Sequence, residues 1–185
     1  STFIWVVRPE SEWLEGDIYT DGSALDGPLP ELTSCGWAFA VLDCNKNVVA
    51  AAHGLPPPWI TDIGGAEAWA IYQAAVHATL GSCRFKSDSL STIEALQAFS
   101  HACAGPKKKH ARVYCLCCAD SDDTPSTSLI WMPAHHSYAD AGVLRLSNGE
   151  FLSQLYVSGN ARADVLAKAA VVARRVDPEE AKQWK

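Results

Sequence analysis

The chain has 185 residues, 48% hydrophobic and 19% charged, a balance that excludes a disordered tail or a fibre and suits one domain whose core needs no staples. Fifteen Lys and Arg against 21 Asp and Glu give a formal net charge of −6, which argues against a nucleic-acid footprint over the whole surface but leaves room for a local basic patch. Seven cysteines, an odd number without a signal-peptide pattern, favour a reducing intracellular setting without separating nucleus from cytoplasm, and no apolar run approaches the ~18 residues of a membrane span.

The chain opens on Ser1 within an apolar segment, Phe3-Ile4-Trp5-Val6-Val7, which suggests a piece of a longer protein. Residues 1–16 read as an arm, either a tether or an added edge strand. DIYTDG (17–22) is a strand ending at a Gly-Ser turn. Residues 27–34 form a Pro-rich loop. GWAFAVL (36–42) and Val48 to Ala52, joined by the polar turn 43–47, predict a β-hairpin. Pro56, Pro57 and Pro58 stop regular pairing.

The apolar spacing and alanine content over 66–80 predict a helix. A short strand at 84–87 delivers Asp88, and Ser89 or Ser91 caps a helix over 92–102. The basic stretch PKKKHAR (106–112) leads into a helix at 113–119, then an acidic loop at 120–128 and a strand at 129–132. Residues 137–158 are a long insertion whose RLSNGEFLSQ segment suggests a hairpin around Ser147-Asn148-Gly149. A helix at 161–176 closes the domain, and 177–185 is a tail. This order predicts an α/β fold: a five-stranded mixed sheet, antiparallel over its first three strands and then parallel, with helices on both faces. Neither GxGxxG nor GxxxxGK occurs.

Four acids fall at element ends: Asp21, Glu67, Asp88 and Asp164. Each alone is commonly a surface or helix-end carboxylate. In mixed α/β sheets, however, sites gather at strand ends.

The segments YTDGSA (19–24), GAEAWAIYQA (65–74), KSDSLSTIEAL (86–96), WMPAHHS (131–137) and GNARADVLAKAA (159–170) resemble, in order and spacing, the type I ribonuclease H family. The forms AExxAI and SDSLS are most similar to ribonuclease H domains of non-LTR retrotransposon polyproteins. The resemblance covers 17–176 and implies the ribonuclease H-like fold. It also implies hydrolysis of the RNA strand of an RNA–DNA hybrid, alongside a reverse transcriptase and other domains of the same polyprotein, with no membrane partner.

By motif match, the resemblance implies that four carboxylates would hold two Mg²⁺ ions, with Mn²⁺ as a substitute. Asp21 would bridge both, Asp164 would help hold the ion that activates water, and Glu67 and Asp88 would hold the other. Two cations about 3.5–4 Å apart need several oxygen ligands, and they stabilise both oxygens of an in-line displacement. His135 takes the place of the family's mobile histidine; its neighbour His136 is the rival. Gly22 and Ser23 are the expected backbone readers of 2′-hydroxyls, and Lys107, Lys108 and Lys109 the expected contacts to the DNA strand.

The pattern also departs from the family. Gly64-Gly65-Ala66 stands where many members carry asparagines, and Ser89-Leu90 replaces Ser-Gln. The basic stretch lacks a tryptophan. The insertion before Asp164 is longer than in compact members. Cys115, Cys117 and Cys118 contain a C-x-x-C spacing, but with no second pair they read as small helix hydrophobes rather than a zinc or redox site. Tryptophans 37, 69 and 131 read as core. Two other functions stay open: an inactive module that binds nucleic acid or a neighbouring reverse transcriptase, and a nuclease of the same fold that cuts DNA.

Overall fold

The computed structural model describes residues 1–25, 33–98, 105, 108–119 and 128–174. The chain runs through β1 (Ile4–Val7), β2 (Leu14–Leu25), β3 (Ser34–Leu42), β4 (Val48–Gly54), α1 (Ile63–Val76), β5 (Ala78–Ser87) and α2 (Leu90–Gln97). It continues through α3 (Ala111–Ala119), β6 (Leu129–Trp131), a 3₁₀ turn (Tyr138–Asp140) and α4 (Gln154–Val172). One sheet of six strands has the order β1-β4-β3-β2-β5-β6. The pairs β1·β4, β4·β3 and β3·β2 are antiparallel, whereas β2·β5 and β5·β6 are parallel.

Strand alternation divides the core. Ile18, Trp37, Phe39 and Phe85 face a cluster that includes Ala68, Trp69 and Ile71 of α1. Tyr19, Ala38 and Ala40 face the other way, toward Ala163, Leu166 and Ala167 of α4. Period two in the strands and small residues in both helices allow this close layering. The mixed sheet, its strand senses and the helices on both faces agree with the predicted fold. Among the described residues no helix is long and apolar enough to cross a membrane.

Several boundaries differ from the sequence reading. The sheet has six strands rather than five because Ile4–Val7 pairs with β4, placing Phe3 and Trp5 against Phe39 and His77. Residues 78–80 are strand, not the end of a helix. His77 closes α1, its carbonyl accepts from the Leu14 amide at 2.7 Å, and Ala78 pairs with Leu14, so sheet bonding overrides alanine's helix preference.

Helix α4 starts at Gln154 rather than 161, because Ser153 accepts from the Tyr156 amide as its cap. The weak helix formers Gly159 and Asn160 therefore lie inside it. Gly159 is required there, since a Cβ would meet the Tyr19 ring at 2.3 Å. The turn at 147–149 is present: the Gly149 amide donates to the Leu146 carbonyl, and Arg145 bridges Phe151. The predicted loops at 27–34 and 120–128, the end of the 92–102 helix, residues 175–176 and the tail fall wholly or largely outside the described residues.

Candidate active site

The adjacent parallel strands β2 and β5 bring Asp21 and Asp88 together, Asp88 immediately following β5. Glu67 arrives from α1, which is started by Asp62 accepting from the Gly65 amide at 2.8 Å. Helix and strand meet at Gly22, where a Cβ would lie 2.4 Å from the Glu67 nitrogen. The absence of a side chain there lets the helix main chain rest on the strand beside Asp21. Gly22→Ala is therefore expected to destabilise the fold by ~1–3 kcal/mol and to push Glu67 away from Asp21; urea unfolding and Mg²⁺ titration together would report both effects.

One carboxylate oxygen from each of Asp21, Glu67 and Asp88 lies within 4.8 Å of the others. Asp21 and Glu67 are each only 5% exposed. Asp21 Oδ2 and Glu67 Oε2 are buried with no hydrogen-bond partner. Burial first, then the charges of Asp88 and Asp164, push the Asp21 carboxyl up to about 8. Burial, then Asp21 and Asp88, raise Glu67 well above the usual carboxylate range.

Three hard oxygen donors, two of them offering a buried unpaired oxygen, fit a divalent cation such as Mg²⁺. A hydrophobic or hydrogen-bonded cluster would not leave those atoms orphaned. Among the described residues this is the sole grouping of three or more potential metal ligands, and the C-x-x-C cysteines are not part of it. Cys117 sits in α3 with its thiol directed to the Ala68 carbonyl at 3.7 Å.

Asp164 stands outside that tight group. Its carboxylate pairs with Lys168 one turn along α4 at 2.7 Å, yet it is close enough to raise Asp21. His135 is exposed in the loop after β6 and has a left-handed backbone, φ 54°, an uncommon conformation for a residue with a Cβ. His136 is half-buried, and its Nδ1 lies 3.4 Å from Asp140. Gly22 and Ser23 are both buried. Lys107 lies outside the described residues and Lys108 is exposed. Lys109 instead pairs with Asp62, His110 Nε2 meets the same carboxylate at 2.9 Å, and Arg112 stacks over Trp59 at 4.6 Å. Much of the basic stretch is thus docked on the start of α1.

Two residues that hold Asp88 escaped the sequence reading. Asn160 Nδ2 donates to Asp88 Oδ2 at 3.2 Å, and Trp131 Nε1 donates to the Asp88 carbonyl at 3.1 Å. Asn160 carried a signal, lying four residues before Asp164 and hence on the same side of a helix. Trp131 read simply as core, but it is half-buried at the sheet edge.

No protein-family model and no curated protein matches the sequence. Solved structures do match the fold. The ribonuclease H1 of the halophilic archaeon Halobacterium salinarum aligns over 85% of this chain and 97% of its own, with 15% identity and a TM-score of 0.53. The N-terminal ribonuclease H domain of a Mycobacterium tuberculosis protein aligns over 86% and 96%, at 16% identity and 0.53. A foamy viral protease-reverse transcriptase in complex with RNA/DNA hybrid aligns over 88% of this chain and 20% of its own, at 16% identity and 0.59. At these identities the likeness is one of architecture, and the chain has the ribonuclease H-like fold.

Proposed function

We propose that this chain is a type I ribonuclease H. In this reading it hydrolyses the RNA strand of RNA–DNA hybrids with two Mg²⁺ ions, Mn²⁺ substituting, as part of retroelement reverse transcription. The observation that carries the proposal is the cluster of buried Asp21 and Glu67, each with an unpaired oxygen, and half-buried Asp88, brought together by β2, α1 and the end of β5 in a ribonuclease H-like fold. The five ordered motifs support the family, and the forms AExxAI and SDSLS support the retroelement setting. The likeness to a viral reverse transcriptase chain is consistent with a reverse transcriptase as partner.

Asp21, Glu67, Asp88 and Asp164 would hold the ions. When bound, Mg²⁺ lowers the pKa of the attacking water and offsets charge on the scissile phosphate. The protein's own part is to hold those carboxylates in place before substrate arrives. Asn160 and Trp131 fix Asp88 at side chain and main chain, and Lys168 balances Asp164. His135, exposed in the loop after β6, would be the group that moves a proton at the leaving oxygen. His135→Ala is expected to slow turnover about 10²-fold while leaving Mg²⁺ binding intact, which single-turnover kinetics and calorimetry would show.

Gly22 and Ser23, on the strand that carries Asp21, would be the backbone readers of 2′-hydroxyls. The basic stretch supplies phosphate contacts chiefly through Lys107 and Lys108, since Lys109 is engaged by Asp62. Alanine at all three positions is expected to lower the slope of log affinity against log salt by about two, read from hybrid binding in Ca²⁺ across a salt series.

The deciding experiment compares hybrid, duplex RNA, duplex DNA and single-stranded RNA as substrates in Mg²⁺ and in Mn²⁺. Cleavage of the hybrid alone is expected. Cleavage of duplex DNA would assign the chain to DNA processing, and binding without cleavage would leave it a nucleic-acid-binding module.

A further inference from the structure

Strand β6 is the last strand of the sheet, and the 145–151 hairpin covers its open side. Ser147 makes the join at both of its polar ends. Its Oγ accepts from the Trp131 amide at 2.9 Å, and its own amide donates to the Trp131 carbonyl at 3.1 Å. The Trp131 indole in turn donates to the Asp88 carbonyl. A continuous line of hydrogen bonds therefore runs from the tip of the hairpin to the main chain of a metal-site carboxylate.

The other side of the hairpin is seated by charge. Glu150 accepts from Arg84 Nη1 at 2.7 Å and from the Tyr156 hydroxyl at 2.9 Å. Arg84 is held in turn by both oxygens of Asp17, at 2.7 and 3.0 Å. Beneath them Lys86 is fully buried, its Nζ 3.6 Å from Asp17, 3.7 Å from Glu150 and 3.9 Å from the Tyr156 ring centroid. A buried ammonium lacking hydrogen bonds is costly unless its counter-charges are fixed. Glu150 must therefore stay down on β5, and the hairpin with it. Arg84 and Lys86 lie on β5, the strand that leads into Asp88, four and two residues before it.

We propose that the 145–151 hairpin is a positioning element for Asp88, with Ser147 acting through Trp131 and Glu150 anchoring the hairpin to Arg84 and Lys86. A long insertion before Asp164 is then no passive loop excursion. It is the outer wall that keeps residue 88 from moving when β6 would otherwise be a free edge. The consequence for Mg²⁺ rests on the metal-site reading above, but the mechanical link does not.

The test uses the whole ¹⁵N-labelled chain and its Ser147→Ala, Ser147→Thr and Glu150→Gln variants. The first readout is hydrogen exchange of the Trp131 indole N–H and the Asp88 amide, with the core Trp37 indole as internal control. The second is the Mg²⁺ concentration giving half of the maximal thermal stabilisation. In Ser147→Ala, Trp131 and Asp88 exchange is expected to quicken about fivefold, the factor for one net hydrogen bond. Trp37 should be unchanged, the Mg²⁺ midpoint should rise by a similar factor, Thr should restore both, and Glu150→Gln should act in the same direction.

Unchanged exchange at Trp131 and Asp88, or equal quickening at Trp37, overturns the positioning role. Local quickening in a protein whose parent shows no Mg²⁺ stabilisation upholds the positioning role and overturns the metal-site reading instead.

Discussion

Replacing Asp21 with Asn is expected to reduce hybrid cleavage at least about 10³-fold, the rate equivalent of losing several kcal/mol of metal-ion stabilisation. Asp21 is the central member of the cluster: buried, unpaired at one oxygen, and in contact with both Glu67 and the field of Asp88 and Asp164. The same substitution is expected to stabilise the metal-free protein. It replaces a buried carboxyl, which must take up a proton to fold at neutral pH, with a neutral amide of the same shape, which is worth ~1–2 kcal/mol or more there. Cleavage rates in Mg²⁺ and urea unfolding in EDTA give the two numbers. An Asp21→Asn protein that cut as fast as the parent would remove Asp21 from the site. Lower stability in EDTA would mean that the acids are not in mutual strain.

The second large effect is a pH dependence of stability that Mg²⁺ abolishes. In the unfolded chain both acids ionise near pH 4. In the folded chain Asp21 retains its proton up to about 8, and Glu67 is raised as well. Between those values the native state binds more protons than the unfolded state, so unfolding free energy falls as pH rises. The metal-free protein should lose on the order of 3–5 kcal/mol from this site between pH 4 and pH 8. Mg²⁺ supplies the positive charge that the protons supplied, and it binds only the folded cluster, so in excess Mg²⁺ the decline should flatten. Urea unfolding from pH 5 to 8.5, in EDTA and in Mg²⁺, measures this. Parallel curves would contradict a metal-binding cluster.

Much of the site was legible because its residues sit in local motifs. Glu67 and Asp88 fall where the chain enters a helix or leaves a strand, whereas the strand carrying Asp21 does not turn at Gly22-Ser23 as its sequence suggests but stays paired with β3 as far as Leu25; the convergence follows from a mixed sheet. The fold was legible for the same reason: hairpin signals first, then strands alternating with helices.

What escaped the sequence depends on partners far away in the chain. Nothing local says that Ile4–Val7 will find β4, or that Ala78 will pair with Leu14 rather than extend an alanine-rich helix. Gly159 reads as a helix breaker until the Tyr19 ring is seen filling the space above it. Lys109 reads as a phosphate contact, yet Asp62 takes it. Trp131 and Asn160 were visible as residues but not as the two supports of Asp88, since each bond spans dozens of positions.

The central claim is that these carboxylates cut RNA paired to DNA, and a hybrid labelled separately on each strand tests it most directly. Incubated with the whole chain in Mg²⁺, the RNA strand should shorten while the DNA strand keeps its length, and EDTA should stop the reaction. An RNA strand that stays intact in both Mg²⁺ and Mn²⁺ would contradict the account.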